Sequence, residues 1–207
     1  MQGFDFIFAI AILIMSVIAH EVSHGYAADS LGDPTARLAG RLSLNPIKHL
    51  DFVGSFIVPV MTFFLGGFIF GWAKPVPYNP YNVRGGKWGE ALVGFAGPAM
   101  NLAIALVFGL IIKFGVASNV LSATTAPIIA LIVFINILLA VFNLVPIPPL
   151  DGSKVLFALL PYHLHAVQEF FERYSLFIIL LFILFFWQYV VPLVYWLFRL
   201  ITGGSFL

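Results

Sequence analysis

Residues 6–28 read FIFAIAILIMSVIAHEVSHGYAA, and this stretch decides the fold class of the chain. Its first part, residues 6–19, contains one polar side chain, Ser16, and no charge. About 20 apolar residues are enough for a helix to span a membrane. His20, Glu21 and His24 follow within the same stretch, where ionisable groups are costly and mark functional sites.

His20 and His24 are spaced i and i+4 on the predicted helix, so their rings share one face and can bind one metal ion. Glu21 directly follows the first histidine and is placed to take a proton from an attacking water molecule. The pattern therefore indicates a hydrolytic metal site. The alternative is a buried polar cluster that holds no metal.

The composition limits the class of protein. Hydrophobic residues make up 61% of the 207 residues and charged residues 9%, and the mean hydropathy is +1.04. These values exclude an ordinary soluble domain and suit a single membrane-embedded domain over residues 1–207. The net charge of +1 gives no general attraction to nucleic acid. Because the chain has no cysteine, disulfides and thiolate ligands are excluded.

Five apolar stretches reach spanning length. They are residues 6–28, 52–72, 91–112, 126–150 and 176–198. We predict an all-α polytopic membrane protein, a helical bundle of about four full spans with residues 52–72 as a re-entrant or hairpin segment. Residues 4–28 lack a basic start and a small-residue cleavage site, so we do not expect a cleaved signal peptide.

The connecting segments have patterns of their own. Apolar or small residues alternate with others from Leu38 to Leu44, which predicts a short membrane-edge β element after the first helix. Residues 74–83 contain three prolines and should be extended. Residues 153–174 mix charged and apolar side chains, as an interfacial helix does.

A second acidic candidate, Asp151, lies in the run NLVPIPPLDG at residues 143–152. It reaches a metal held by His20 and His24 only if its helix runs parallel to the first helix. This requires an odd number of membrane crossings between the two helices, which a re-entrant segment at 52–72 allows and a full crossing does not.

The basic residues favour the same topology. With the N-terminus outside, eight of the ten basic residues face the cytoplasm, as the positive-inside tendency requires. Those eight are Arg37, Arg41, Lys48, Lys74, Arg84, Lys87, Lys154 and Arg173, and Lys113 and Arg199 stay outside.

A hydrolytic zinc site needs three protein ligands and one open position. We predict that His20, His24 and Asp151 are the ligands and that Glu21 is the general base. Asn143 lies two helical turns before Asp151, where its amide can stabilise a developing oxyanion. The alternatives are a turn residue for Asp151 and a buried asparagine bonded to a neighbouring helix for Asn143.

Other polar residues are assigned to structure. We interpret Asn101 and Asn136 as contacts between helices, and His49 as a structural histidine. His163 and His165 are spaced i and i+2 and would point apart on a helix, so no second metal site is expected there.

A protease acting on membrane helices must bind its substrate in extended form, because helical peptide bonds are closed off by their own hydrogen bonds. The predicted strand from Leu38 to Leu44 follows the metal motif and offers an edge for strand addition. We therefore expect it to bind substrate.

The chain resembles the site-2 proteases, the intramembrane zinc metalloproteases, in a short form without soluble domains. The resemblance covers most of the chain through HEVSH at 20–24, GDPTA at 32–36, GWAKPVP at 71–77, GPAMN at 97–101 and the run at 143–152. It implies a zinc ion held by His20, His24 and Asp151, with Glu21 as the base and Asn143 assisting the reacting carbonyl. The chain departs from the family pattern in having no PDZ or CBS domain and in the additional segment 52–72.

We therefore predict an intramembrane zinc metalloprotease, with one Zn²⁺ per chain, that cleaves a membrane-anchored protein in or near its transmembrane segment. The expected location is the prokaryotic plasma membrane, with the active site toward the cytoplasm. One alternative is an inactive metal-binding scaffold or a transporter, although no other apolar stretch carries a series of ionisable residues. Another is a protease with a glutamate as third ligand, but Glu90, Glu169 and Glu172 lie outside the deep apolar stretches.

Overall fold

The computed structural model describes residues 2–51, 57, 61, 64, 74–118, 120–122 and 124–204. Within these residues the regular secondary structure is helical. The helices are α1 (Gln2–Ser30), α2 (Thr35–Leu38), α3 (Lys87–Ala117), α4 (Thr125–Asn143), α5 (Gly152–Leu159), α6 (His165–Arg173), α7 (Ser175–Leu181) and α8 (Trp187–Thr202). A π-helical turn, Phe182–Phe186, joins α7 to α8.

Four helical segments of the described chain are long and apolar enough to cross a membrane. They are Phe8–Ser30, Lys87–Val116, Thr125–Asn143 and Ser175–Thr202. The outward faces of these helices expose large apolar side chains such as Leu106, Leu110, Leu180 and Trp196, which suit contact with lipid. The prediction of an all-helical fold with about four helices of spanning length is confirmed for the described residues.

Prolines and glycines set the helix ends. The apolar stretch 126–150 continues beyond α4, but the helix ends at Asn143 because Pro146 and Pro148 cannot continue it. α8 ends at Thr202, and Gly203 after it has a left-handed φ of 75°, as glycine at this position commonly does.

Helix α3 is the central element of the bundle and packs against α1, α4, α5 and α8. Its backbone at Val93 lies against His24, and its Asn101 lies against Ser16, so α3 runs antiparallel to α1. Asn136 of α4 also contacts Ser16, and Asp151, beyond the end of α4, contacts His20. Helices α1 and α4 are therefore parallel, as predicted.

The apolar core lies away from the polar contacts, where α3, α4 and α8 meet. Its fully buried members are Ala105, Ile112, Ala130, Val133, Ile137, Val194 and Phe198. Small residues on α3 and α4 let the helices approach closely, which is how helices associate in a membrane.

The predicted strand from Leu38 to Leu44 is wrong. Leu38 ends α2, Gly40 takes a left-handed φ of 63°, and the Arg41 N–H donates back to the Ala36 carbonyl at 3.0 Å. The run therefore turns, and no described residue pairs with it as a neighbouring strand. Alternation over so few residues did not produce a strand because the backbone groups found local partners instead.

The predicted re-entrant segment, residues 52–72, lies outside the described residues apart from positions 57, 61 and 64. The two sides of this segment lie together, since the Lys74 N–H donates to the His49 carbonyl at 2.9 Å. Residues 74–79 have no helical or turn structure, whereas Pro80–Asn82, within the segment predicted to be extended, form a short 3₁₀ turn. The predicted interfacial segment 153–174 divides into α5, the 3₁₀ turn Tyr162–Leu164 and α6.

Candidate metal centre

Helix α1 presents His20 and His24 on the face that packs against α3. Both side chains are buried. Gly97 of α3 makes this approach possible: a Cβ atom there would lie 2.5 Å from His24 Nε2 and 2.6 Å from His20 Nε2. A residue larger than glycine would therefore occupy the space between the two rings.

The two imidazoles meet Asp151 at one point. The distance between the two Nε2 atoms is 3.0 Å, and Asp151 Oδ2 lies 3.0 Å from His20 Nε2 and 3.1 Å from His24 Nε2. The structure thus brings together the three predicted ligands, which are separated by up to 131 positions in the sequence.

The far nitrogen of each ring fixes its tautomer. His24 Nδ1 lies 2.6 Å from the Val93 carbonyl, so Nδ1 must be the protonated nitrogen that donates. His20 Nδ1 lies 2.6 Å from Asn101 Oδ1 and donates to it. In neutral rings both Nε2 atoms are therefore unprotonated and turn their lone pairs toward the same point.

Asn101 is itself oriented by a buried polar network. Its Nδ2 donates to Asn136 Oδ1 at 2.8 Å and to the Ser16 carbonyl at 3.3 Å, which leaves Oδ1 facing His20. Asn136 Nδ2 in turn donates to Ser16 Oγ at 2.9 Å and to the Ile132 carbonyl at 2.9 Å. Asn101 and Asn136 do link helices, as the sequence indicated, and Asn101 also orients a predicted ligand.

Asp151 is positioned by the turn between α4 and α5. Gly152 starts α5, and Ser153 Oγ donates to the Leu150 carbonyl at 2.7 Å, which closes the turn around the carboxylate. Lys154 Nζ donates to Asp151 Oδ1 at 3.1 Å and lies over the ring of Tyr78. One carboxylate oxygen is therefore bound by an ammonium group, and the other faces the histidines.

These atoms fit a zinc ion. In a tetrahedral site with bonds of about 2.0–2.1 Å, ligand atoms lie about 3.3 Å apart, close to the spacing seen here. Three acceptor atoms meet with no hydrogen between them in this tautomer, which is repulsive unless a cation lies among them. The partners of the two Nδ1 atoms match the way proteins orient histidine ligands.

Glu21 lies beside this group. The ligand atoms of His20, Glu21 and His24 lie within 4.8 Å of one another. Asp151 Oδ2 lies within 3.1 Å of both Nε2 atoms, so Asp151 is better placed than Glu21 to be a third ligand. Glu21 is half-buried, and its Oε2 accepts a hydrogen bond from the Val76 N–H at 3.1 Å.

Asn143 is the last residue of α4, and its Nδ2 donates to the Leu139 carbonyl of the same helix at 2.9 Å. Among the described hydrogen bonds, none joins Asn143 to His20, His24 or Asp151. Its predicted role stays a prediction.

The remaining histidines are elsewhere. His49 is buried and its Nε2 donates to the Ser43 carbonyl at 2.7 Å. His163 and His165 are exposed. Within the described part of the chain, His20, Glu21 and His24 are close enough together to hold a metal, and Asp151 contacts both of these histidines.

The sequence did not predict a role at the site for Val76, Gly97 or Lys154. It also did not predict that Asn101 orients His20. The spacing Gly97–Asn101 is i, i+4, which places both on one face of α3 and is the one sequence signal that they act together. Lys154 follows Asp151 at i, i+3. Nothing local in the sequence indicates Val76.

A cavity of about 430 Å³ opens beside the site, between the start of α3, α5 and α6. Polar and charged side chains line it, among them Tyr78, Glu90, Lys154 and Glu172. Its lining includes Ser153 and Lys154, next to Asp151, but neither metal-site histidine. The cavity is thus a neighbour of the candidate metal centre.

The apolar helices and these donor atoms suit an integral membrane protein with a candidate metal centre between its helices. The family model of peptidase family M50 matches residues 111–186, which include Asn143 and Asp151. The chain is 36% identical over 186 residues to a Bacillus subtilis protein named "Putative zinc metalloprotease YwhC", covering 87% of this chain and 79% of that protein.

Relatives in mycobacteria are also similar. A Mycolicibacterium smegmatis protein named "Putative zinc metalloprotease Rip2" is 35% identical over 153 residues, covering 73% of this chain. The Rip2 protein of Mycobacterium tuberculosis is 29% identical over 151 residues. The chain spans 56% of the length of each Rip2 protein. No solved structure matches the chain significantly.

The chain therefore belongs to peptidase family M50, the site-2 protease family. Its relatives support a metalloprotease, and their names imply zinc as the metal.

Proposed function

We propose that the chain is an intramembrane zinc metalloprotease that hydrolyses a peptide bond in or near the transmembrane segment of a membrane-anchored protein. The observation that supports this most strongly is the meeting of His20 Nε2, His24 Nε2 and Asp151 Oδ2 at separations of 3.0 to 3.1 Å. Glu21 lies beside them, as a hydrolytic site requires.

His20, His24 and Asp151 are the residues that hold the metal. A zinc ion bound by them supplies Lewis-acid chemistry, which lowers the pKa of water toward about 7 and polarises a carbonyl group. Asn101 and the Val93 carbonyl keep both rings in the ligand tautomer. Lys154 holds Asp151 Oδ1 and leaves Oδ2 for the metal.

Glu21 is the general base and then the general acid. Its carboxylate takes a proton from water as the water oxygen bonds to the carbonyl carbon of the substrate. It then gives that proton to the amide nitrogen as the carbon–nitrogen bond breaks. Asn143 has two amide N–H groups, of which one binds the Leu139 carbonyl, and we assign the other to the reacting carbonyl oxygen.

The active site faces the cytoplasm in this proposal. His20 lies about 15 Å along the helix axis from Ser30, the end of α1, so the reaction takes place below the membrane surface. Arg37 pairs with Asp29 at that end of α1, whereas Lys113 lies against Gly203 at the other end of the bundle. Most basic residues thus lie at the end of the bundle that is nearer to the site. Basic residues are enriched on the cytoplasmic side of membrane proteins, which supports this orientation.

Water and the polar part of the substrate reach the site from the neighbouring cavity of about 430 Å³. The cavity adjoins Asp151 through Ser153 and Lys154, and its polar lining suits the segment of a substrate that leaves the membrane. The scission point then lies near the membrane end of that segment.

The test is substitution of the base. Zinc-loaded wild-type protein and Glu21→Gln are reconstituted with a pool of single-span peptides, and fragments are identified by mass spectrometry. We expect the variant to keep its zinc and to lose at least about 100-fold in cleavage rate, because general base catalysis contributes on this scale. Equal cleavage by the variant, or no cleavage of any peptide by wild type, would contradict the proposal. If the protein were an inactive scaffold, wild type would cleave none of the peptides.

A further inference from the structure

Residues 74–79, which we call the strap, run past helix α1 without helical or turn structure and contact Glu21. We propose that the backbone N–H of Val76 in the strap positions the Glu21 carboxylate for proton transfer, and that Arg41 positions the strap. This proposal rests on the proposed function, because it concerns the general base of that reaction.

The contact itself is specific. The Val76 N–H donates to Glu21 Oε2 at 3.1 Å, and the two residues are 55 positions apart. Pro75 and Pro77 have no N–H, so Val76 carries the single backbone donor of residues 75–77. Prolines on both sides also restrict the backbone, which reduces the freedom of this donor.

The strap is packed as well as bonded. Val76 is buried, with 5% of its surface exposed. Gly25, one helical turn after Glu21, lets the strap approach α1: a Cβ atom there would lie 2.7 Å from Val76 Cγ1. The distance between the strap and the helix is therefore set by close packing.

Two groups fix the strap, the Arg41 guanidinium at one end and the Asp33 carboxylate at the other. The Arg41 guanidinium donates to the Lys74 carbonyl at 2.7 Å and to the Pro75 carbonyl at 3.3 Å. Arg41 also binds the Lys48 carbonyl, which joins the strap to the loop after α1. At the other end the Asn79 N–H donates to Asp33 Oδ2 at 2.6 Å. Val76 is therefore held between two anchors.

The consequence concerns the two oxygens of Glu21. The Val76 N–H holds Oε2, so the proton moves at Oε1, whose position is then set by the carboxylate plane. A displacement of about 1 Å in a reacting group can cost about 100-fold in rate. The strap thus acts on catalysis through Glu21 and does not itself contact the reacting atoms.

The test compares two substitutions of the same residue. Val76→Pro removes the N–H, whereas Val76→Ala keeps it and shortens the side chain. The steady-state kinetics of both are measured with the single-span peptide that wild type cleaves fastest, together with zinc content. We expect Val76→Pro to keep its zinc and its KM within about 2-fold while kcat falls about 10- to 100-fold, and Val76→Ala to lose far less.

A second pair separates positioning from folding. Arg41→Ala frees the strap without changing residue 76, and we expect a lower kcat with an unchanged KM and full zinc. The matched control is Arg37→Ala, since Arg37 pairs with Asp29 and does not touch the strap. We expect its kcat to stay within about 2-fold of wild type. If Val76→Pro does not fold, the comparison of Arg41→Ala with Arg37→Ala tests whether the strap positions Glu21.

Three results would overturn the proposal. These are an unchanged kcat in Val76→Pro or Arg41→Ala, an equal loss in Val76→Ala and Val76→Pro, and a rise in KM with unchanged kcat. The last would make the strap a substrate-binding segment. The proposed function fails separately, if Glu21→Gln still cleaves peptides.

Discussion

At His24 the two ring nitrogens have different partners, and the difference fixes the chemistry of the site. Nδ1 donates to the Val93 carbonyl, so Nε2 has a free lone pair, 3.0 Å from Nε2 of His20 and 3.1 Å from Asp151 Oδ2. A neutral histidine in this orientation can bind a metal through Nε2. It cannot donate a hydrogen bond from Nε2 to a neighbouring acceptor atom.

Gly97 is the residue whose size most directly limits the site. In Gly97→Ala the new Cβ would lie 2.5 Å from His24 Nε2, so one ring must move and the three ligand atoms no longer meet. We expect zinc affinity to fall by at least about 10-fold, measured by competition with a chelator.

Gly109→Ala on the same helix is the matched control for this prediction. It adds the same methyl group against Ile201, away from the metal centre. We expect it to lower thermal stability and to leave zinc affinity unchanged. Equal zinc affinities in the two variants would show that Gly97 serves helix packing alone.

At the scale of elements, a buried carboxylate, Asp33, helps to join the loop after α1 to the segment before α3. Asp33 is fully buried and accepts hydrogen bonds from Thr35 Oγ1 at 2.5 Å, the Asn79 N–H at 2.6 Å and Asn82 Nδ2 at 3.0 Å. These bonds hold the strap at its Asn79 end. The site on α1 therefore depends on a loop that contains no ligand.

Asp33 also makes stability depend on pH. Burial alone would raise the pKa of Asp33, but the hydrogen bonds from Thr35, Asn82 and Asn79 outweigh it and lower the pKa below its ordinary value of 3.8. A lowered pKa in the folded state stabilises the fold above the unfolded value, and this contribution is lost as pH falls through the folded value.

We therefore expect Asp33→Asn to lower the free energy of unfolding by about 2–4 kcal/mol at neutral pH, because an amide cannot accept all of these hydrogen bonds. The difference should narrow below about pH 4. Thermal unfolding of zinc-free protein in detergent measures it, with Asp29→Asn as the control. If the difference in the free energy of unfolding between wild type and Asp33→Asn stays constant from neutral to acid pH, the pKa of Asp33 is not lowered in the folded state.

Elements also show which sequence patterns were informative. The spanning helices follow from long apolar stretches, and the end of α4 follows from its prolines, because both signals are local. The run from Leu38 to Leu44 alternates like a strand but turns instead. A strand needs a partner, and the sequence of one short run contains no information about its partner.

At the scale of the whole molecule, the parallel arrangement of α1 and α4 brings Asp151 to the histidines. The sequence predicted this arrangement, because both sites lie near the same end of their helices. It did not predict Val76, Lys154 or the orienting role of Asn101. The pair His20–Asn101 spans 81 positions and Glu21–Val76 spans 55, and such contacts follow from packing in three dimensions.

The same arrangement predicts the topology of the loops. Because Lys74 is hydrogen-bonded to His49, we expect cysteines at positions 48 and 74 to be labelled from the same side of the membrane. A cysteine at position 113 should be labelled from the opposite side. All three lysines are exposed, and the natural chain has no cysteine to interfere. Labelling of positions 48 and 74 from opposite sides would exclude this topology.

Zinc binding by His20, His24 and Asp151 is tested by the zinc content and the zinc X-ray absorption spectrum of wild type and Asp151→Ala. We expect about one zinc per chain in wild type, bound by two imidazole nitrogens and one carboxylate oxygen of the protein. In Asp151→Ala the metal should be lost or bound much more weakly. Full zinc content with an unchanged spectrum in this variant would show that Asp151 is not a zinc ligand.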